Sequence, residues 1–394
     1  MKVLYILNPT HRLSGSFKSF LVMLRGLMER GVEPVLVVPK DKEQDYEQEL
    51  REMGLPVLTL LYKFHAWPHS RTWKQRLLFV SRLLARFYVN RRAERVIMRQ
   101  LRSTGIDMVH TNVGVIDLGR RVARRFGVPH IQHVREYGDI DFGIRHFPTK
   151  RVFVRRLQYS IFITRDLQRY FGLEGDSRSR VIYNGVHPRM DELPVRQKGS
   201  YFLFVGPVSR AKGIDQLISA FCRYSAKVSG AHALPLYVAG EVLDKSLYRQ
   251  LEQELSASGL RERVVFMGLR SDVDTLMRGA CALVVPSPSE GFGRCMPEAM
   301  FNGTPVIGRN TGGTREQMDN GVRLTGREIA LRYTTTEELV QCLVQVAQGF
   351  GAEEEMRKSA FEVVNMLYSD EAYVDNVFRF YEDITRENQE RRTR

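Results

Sequence analysis

The chain opens with KVLYILN, an apolar run of buried-strand length, followed by the polar turn THRLSGS and a helical-period stretch, FKSFLVMLRGLMERG, that stops at Gly31. EPVLVVP repeats the strand pattern, a charged helix is expected near residues 43–53, and LPVLTLL reads as a third strand. IDMVHTN, a helix around 116–126 and VPHIQHV continue the alternation. Strands and helices taking turns in this way predict a parallel sheet wrapped by helices. A second series begins at YFLFVG (201–206) and runs through helix 213–226, strand LPLYVAG, helix 245–258 and strand RVVFMG. A short helix at 272–278, strand CALVVPS, helix 296–302 and strand TPVIG complete it. Between the two series, NGVHPRMDELPVRQKGS (184–200) is rich in Pro, Gly and charge and lacks periodicity, so it reads as an interdomain linker. The pattern thus predicts two α/β domains in tandem, with ligands expected in a cleft at the C-terminal edges of the two sheets.

A length of 394 residues agrees with two domains, and 43% hydrophobic with 26% charged residues fits a soluble globular protein. No apolar run approaches the ~18 residues of a membrane span, and VLYIL is too short for a signal-peptide core, so a cytoplasmic location is expected. Cys222, Cys281, Cys295 and Cys342 are widely spaced and read as free thiols in a reducing compartment. The net charge of +14 is unevenly placed: residues 1–190 hold 34 Lys and Arg against 17 Asp and Glu, the remainder 25 against 28. An anionic partner met by the first half alone is implied: nucleic acid, a phospholipid surface or a phosphate-bearing substrate.

Neither half carries the G-x-G-x-x-G fingerprint of dinucleotide binding, since the first has only Ser14-Gly15-Ser16 and the second has Met296 at the third glycine position. Hydride transfer is disfavoured accordingly. The stretch SPSEGFGRCMPEAM instead places Glu290 and Glu298 eight positions apart, with Gly291-Phe292-Gly293 behind the first and Pro297 before the second. Glu290 lies at the end of the strand CALVVPS, where it projects into the cleft. The glycines expose backbone N–H groups, and a helix starting near Met296 adds its positive end, which together make an anion site. Carboxylates on both sides of a phosphate-sized pocket match a ligand with hydroxyls flanking a phosphate, such as a nucleotide-sugar. The plainer alternative is a Glu298 that only favours the helix dipole and a Glu290 that is a solvated loop residue.

The region resembles the retaining glycosyltransferases of family 4, which have the GT-B fold of two Rossmann-like domains with parallel sheets facing a central cleft. Glu290 and Glu298 meet that family's E-x7-E signature within PSPSEGFGRCMPEAMFNGTPVIGRNTGG, and VIYNGV, FVGPVSRAKGID, VVFMGLRSDV and GGTREQM match in order elsewhere. YSDEAYVDNVFRFYEDI resembles the family's last helix, which crosses back onto the first domain. The resemblance implies an acceptor domain over 1–185, a donor domain over 200–368 and the returning helix over 369–394. It implies transfer of a sugar from a nucleotide-diphosphate sugar to a hydroxyl acceptor, in surface-polysaccharide assembly and with a lipid-linked saccharide as acceptor. Glu298 would bind the ribose hydroxyls, Glu290 the sugar hydroxyls, the amides of Gly291, Phe292 and Gly293 the sugar and its phosphate, and Lys212 the diphosphate. Where the family often carries an arginine after the glycine of the FVG strand, this chain has Pro207; Arg210 either reaches the diphosphate instead or is a solvated surface arginine.

Gly15 and Ser16, with Lys18, partly match the glycine-rich turn that the family sets near the diphosphate or acceptor. MVHTNVG and HIQHVREYGD place His110, Asn112, His133, Arg135 and Glu136 at strand ends; His133 is the first choice to face the donor sugar and Asn112 the second, against the alternative of satisfied strand-end residues. Asp139 and Asp141 have a metal-ligand spacing, but the resemblance has Lys and helix ends neutralise the diphosphate, and no metal or other cofactor is assigned. Residues 71–102 hold ten Lys and Arg and one acid, Glu94. There Trp73, Leu77, Val80, Leu84 and Phe87 recur at helical spacing, which predicts either an interfacial helix on an anionic membrane surface, at the inner face of the cell membrane, or a helix packed on its own sheet. Two rivals to transfer remain: a nucleotide-sugar epimerase on a similar fold, and a basic nucleic-acid-binding protein, for which no recognisable module is present.

Overall fold

The computed structural model describes residues 1–12, 14–41, 45–67, 73–195, 199–228 and 233–393. It divides into two compact units, Met1–Gly185 with Asp370–Arg394, and Val186–Ser369. Each is built on one parallel sheet.

In the first unit the strands are β1 (Lys2–Ile6), β2 (Glu33–Pro39), β3 (Val57–Leu60), β4 (Met108–Thr111), β5 (His130–Val134), β6 (Tyr159–Phe162) and β7 (Ser179–Val181), in the order β3-β2-β1-β4-β5-β6-β7. Both faces of this sheet are covered. On one, Phe17, Phe20, Met23, Leu24 and Leu27 of the helix Gly15–Glu29 pack with Tyr373, Val377 and Tyr381 of the last helix, Asp370–Thr393. Burial on both sides explains why β1 and β2 read as unbroken apolar runs and not as alternating ones. The expected charged helix is shorter, Glu47–Glu52, and residues 42–44 at its expected start lie outside the described residues, as do Leu13 of the first turn and Arg71 and Thr72 of the basic stretch. That basic stretch forms the helices Trp73–Leu77 and Phe79–Leu101.

The second unit contains β8 (Phe202–Val205), β9 (Leu236–Ala239), β10 (Val264–Gly268), β11 (Ala282–Val285), β12 (Val306–Arg309) and β13 (Leu331–Tyr333), ordered β10-β9-β8-β11-β12-β13. Its core gathers Phe202, Phe204, Leu217, Phe221, Leu251, Val284 and Leu343 from strands and helices alike. In both sheets the direction of strand addition reverses beside the first strand, which opens a crevice at the C-terminal ends of β1 and β4 in one and β8 and β11 in the other. β6, β7 and β13 are strands that the sequence pattern did not reveal.

The segment read as a linker is bound to the second unit over 187–194, where Met190 N–H donates to Asn365 and Arg357 donates to the carbonyls of Pro194 and Gly303. Residues 196–198 of it lie outside the described residues.

Candidate functional site

β11 delivers the chain to the crevice end of the second sheet, and Glu290 follows five residues later. Its position is set by glycines. Gly312, at φ +51, approaches so closely that a Cβ there would lie 2.7 Å from the Glu290 carbonyl oxygen, and one on Gly313 would lie 2.8 Å from the Cα of Phe292. The helix Gly312–Thr325 therefore starts directly against the 290–293 loop. There the Gly313 N–H donates to the Glu290 carbonyl at 2.7 Å, and the Gln317 amide donates to the Phe292 carbonyl. Phe292 is buried, its ring edge-on to Tyr368 at 5.6 Å, so the loop is anchored by a side chain as well.

The Glu290 carboxylate is held by Lys212, whose Nζ donates to Oε1 at 2.9 Å and Oε2 at 2.8 Å. Lys212 ends the short turn Arg210–Lys212, and Gly213 after it takes φ +68 where a Cβ would meet the Pro286 carbonyl oxygen at 2.2 Å. Only a residue without a Cβ lets that turn press against the end of β11 and put the lysine on the glutamate. Arg210 donates to Asp215 at 3.2 Å and Gln250 at 2.8 Å, with an exposed side chain, apart from the Lys212–Glu290 pair.

Glu298 lies in the first turn of the helix Cys295–Phe301 and accepts from Arg294 Nε at 3.1 Å. The donors expected at this helix start are largely spoken for. Met296 N–H goes to the Gly293 carbonyl, Glu298 N–H to the Arg294 carbonyl, and Pro297 has none. Lys212 and Arg294 add positive charge here. Sequence reasoning passed over Arg294, although a basic residue four positions before a helical glutamate is itself a pairing signal. Between the carboxylates, burial and the nearby Glu290 and Glu298 push the Cys295 thiol up to about 12, so it stays protonated and is no nucleophile.

In the first unit, Gly15 and Ser16 open the helix Gly15–Glu29, where Ser14 caps Phe17 N–H at 3.3 Å and its hydroxyl is 3.2 Å from that of Ser16. His133 and Asn112 come together through Arg135 in a buried polar network at the strand ends. Arg135 donates to Asn112 Oδ1 at 3.1 and 3.0 Å, to Asn184 at 2.7 Å and to the Tyr373 hydroxyl at 3.0 Å. Its Nη2 also lies 3.4 Å from His133 Nδ1, and His110 Nε2 is 3.2 Å from that same Nδ1. A guanidinium only donates, so His133 Nδ1 accepts and its proton is assigned to Nε2; His110 then carries its proton on Nε2 and accepts from the Tyr381 hydroxyl at Nδ1. Burial, then the Arg135 charge, hold both imidazoles well below their ordinary pKa, so both are neutral. His133 Nε2 is buried without a hydrogen-bond partner among the described residues. Nearby, burial raises the Glu136 carboxyl to about 7 against the opposing bond from Gly114 N–H at 2.9 Å. Asp139 and Asp141 serve different donors, the Tyr170 hydroxyl and the Tyr137 N–H.

Comparison with known proteins follows this geometry. Residues 14–190 match the model of the glycosyl transferase 4-like domain and residues 189–340 that of the glycosyl transferases group 1. An uncharacterized glycosyltransferase of Methanocaldococcus jannaschii is 27% identical over 233 residues, which is 56% of this chain and 61% of that protein. A lipopolysaccharide core biosynthesis mannosyltransferase of Rhizobium meliloti is 30% identical over 132 residues, 32% of this chain and 35% of its own length. The chain thus spans less than two thirds of these relatives. The crystal structure of Anabaena HepE in complex with UDP superposes with a TM-score of 0.72 over 97% of this chain and 100% of that one, at 17% identity, and shows a common fold. With two adjoining family domains, two parallel α/β sheets and the E-x7-E pair at a strand end, the chain belongs to the group 1, family 4-type glycosyltransferases of the GT-B fold.

Proposed function

We propose that this protein transfers a sugar from a nucleotide-diphosphate donor to a hydroxyl of a saccharide acceptor, with retention of anomeric configuration. The observation that carries the reading is the Lys212–Glu290 pair beside Arg294–Glu298: two carboxylates and two cations on adjoining turns at one strand end. Glu290 accepts from donor-sugar hydroxyls and Glu298 from the ribose, while Lys212 and Arg294 supply the positive field in which a diphosphate leaves. The bond from the anomeric carbon to the diphosphate oxygen breaks, the acceptor oxygen bonds to that carbon on the same face, and a phosphate oxygen takes the acceptor proton. The protonated Cys295 offers no competing nucleophile. No metal is invoked.

A saccharide carried on a lipid, in cell-surface polysaccharide assembly, is the acceptor class favoured by the relative that builds lipopolysaccharide core. The neighbour crystallised with UDP puts uridine nucleotides first in a donor panel. The test is release of nucleoside diphosphate from a panel of nucleotide-sugars with and without saccharide acceptors, with the product anomer read by NMR. Release that depends on acceptor and keeps the anomer is expected. Donor turnover without acceptor would move the assignment to an epimerase, and salt-sensitive oligonucleotide binding with no nucleotide-sugar binding would remove the enzyme reading.

A further inference from the structure

The helices Trp73–Leu77 and Phe79–Leu101 resolve the two readings of the basic stretch differently along their length. Towards the C-terminus, Asn90, Ala93, Glu94 and Ile97 are buried. Nearer the start, Phe79 stacks on Trp67 at 5.6 Å and Phe87 packs edge-on to His65 and Phe147. The helix therefore already has a packed face. Yet Trp73, Leu77, Val80, Leu84 and Tyr88 lie outside it, 62% to 74% exposed. Trp73 and Leu77 stand four residues apart on the first helix and Val80, Leu84 and Tyr88 recur every four residues on the second, and large apolar side chains left in water together mark an interaction surface.

Charge says what covers it. Lys74, Arg76, Arg91, Arg92 and Arg95 are exposed on the same helices, and no Asp or Glu occurs from 73 to 93. The one acid of the stretch, Glu94, is 4% exposed and paired with both Arg121 and Arg125 of the helix Leu118–Phe126, so it offsets none of the outer positive charge. Apolar side chains with a tryptophan and a tyrosine, beside arginines and no exposed acid, are complementary to a bilayer surface: the rings and leucines enter the headgroup boundary while the guanidiniums meet lipid phosphates. A protein partner with an apolar groove would not require the face to be uniformly basic. We infer that the face formed by Trp73, Leu77, Val80, Leu84 and Tyr88 docks the protein on an anionic lipid bilayer.

Co-sedimentation of the full chain with phosphatidylcholine vesicles, with and without phosphatidylglycerol, tests this without any nucleotide-sugar, so its failure leaves the proposed transfer reaction untouched. Binding should be at least about tenfold stronger to the anionic vesicles and fall as salt is added. Leu77→Glu with Leu84→Glu should lower it by a further factor of about ten, with an unchanged circular dichroism spectrum because both side chains are exposed. Arg91→Glu with Arg95→Glu should abolish the preference for phosphatidylglycerol. The inference is overturned by equal binding to neutral vesicles, by no binding, or by a Leu77→Glu/Leu84→Glu variant that binds as the parent does. It is also overturned if sedimentation velocity shows a dimer that this variant converts to monomer, since a second copy would then own the face.

Discussion

At the end of β5 the first unit turns His133, Arg135 and Glu136 inward, none more than 9% exposed, whereas at the end of β11 the second unit leaves the Glu290, Arg294 and Glu298 side chains 12%, 15% and 23% exposed. The first group sits at the end of β5, one strand removed from the β1–β4 crevice, and the second follows β11, which borders the β8–β11 crevice. Their chemistry differs because their solvation does. Buried polar groups must be neutral or fully bonded, and His110 and His133 are neutral while Arg135 is bonded to Asn112, Asn184 and Tyr373. The ion pairs of the second unit keep some contact with solvent, which suits a site that takes up and releases a charged ligand. The first unit thus keeps a fixed donor geometry around His133, and the second keeps exchangeable charge around Glu290.

The sharpest break in that contrast is at Glu290. Glu290→Gln keeps the shape and removes the charge that faces Lys212; kcat/KM for transfer should fall about 10²- to 10³-fold, while the thermal midpoint moves little. Unchanged kinetics would detach this loop from the reaction. Next is the inward network: Arg135→Ala strands the acceptors of Asn112, Asn184 and Tyr373 in the interior, and urea unfolding should report a loss of roughly 3 kcal/mol. A loss no larger than that of an average surface substitution would mean that these bonds contribute little to stability.

A third test uses pH. Burial raises the folded-state pKa of Glu136 from 4.5 to about 7, so the folded form holds its proton more tightly than the unfolded chain does. Its contribution to stability is fully present below about 4.5 and is lost as pH rises to about 7. Glu136→Gln should flatten the stability profile across that window by roughly 3 kcal/mol, and an unaltered slope would place the titration elsewhere. The smallest effect is expected at Glu298: Glu298→Gln should raise KM for the donor about tenfold with kcat nearly constant, the pattern of a lost ground-state contact.

Much of this contrast was legible before the fold. The alternation of strand and helix identified both sheets, and Glu290 and Glu298 stood out because the glycines and the proline around them are informative residue types. The closing partners were not. Nothing local couples Lys212 to a carboxylate 78 positions away, and Gly312 and Gly313 acquire meaning only when the helix they begin presses on the Glu290 carbonyl. Arg210's bonds to Asp215 and Gln250 were likewise not legible from its place in the motif.

By itself the amino-acid sequence determined the local periods, the sites where backbone must run without Cβ, and the residues able to carry charge, because those properties depend on near neighbours and on side-chain chemistry. Although the family resemblance implied a last helix that returns to the first domain, only the tertiary structure decided that the helix Asp370–Thr393 brings Tyr373 and Tyr381 to Arg135 and His110. It also decided that the row from Trp73 to Tyr88 is left in water. Both outcomes turn on which of several apolar faces packs against which, a choice made by the burial of the whole chain, to which no single segment holds the answer.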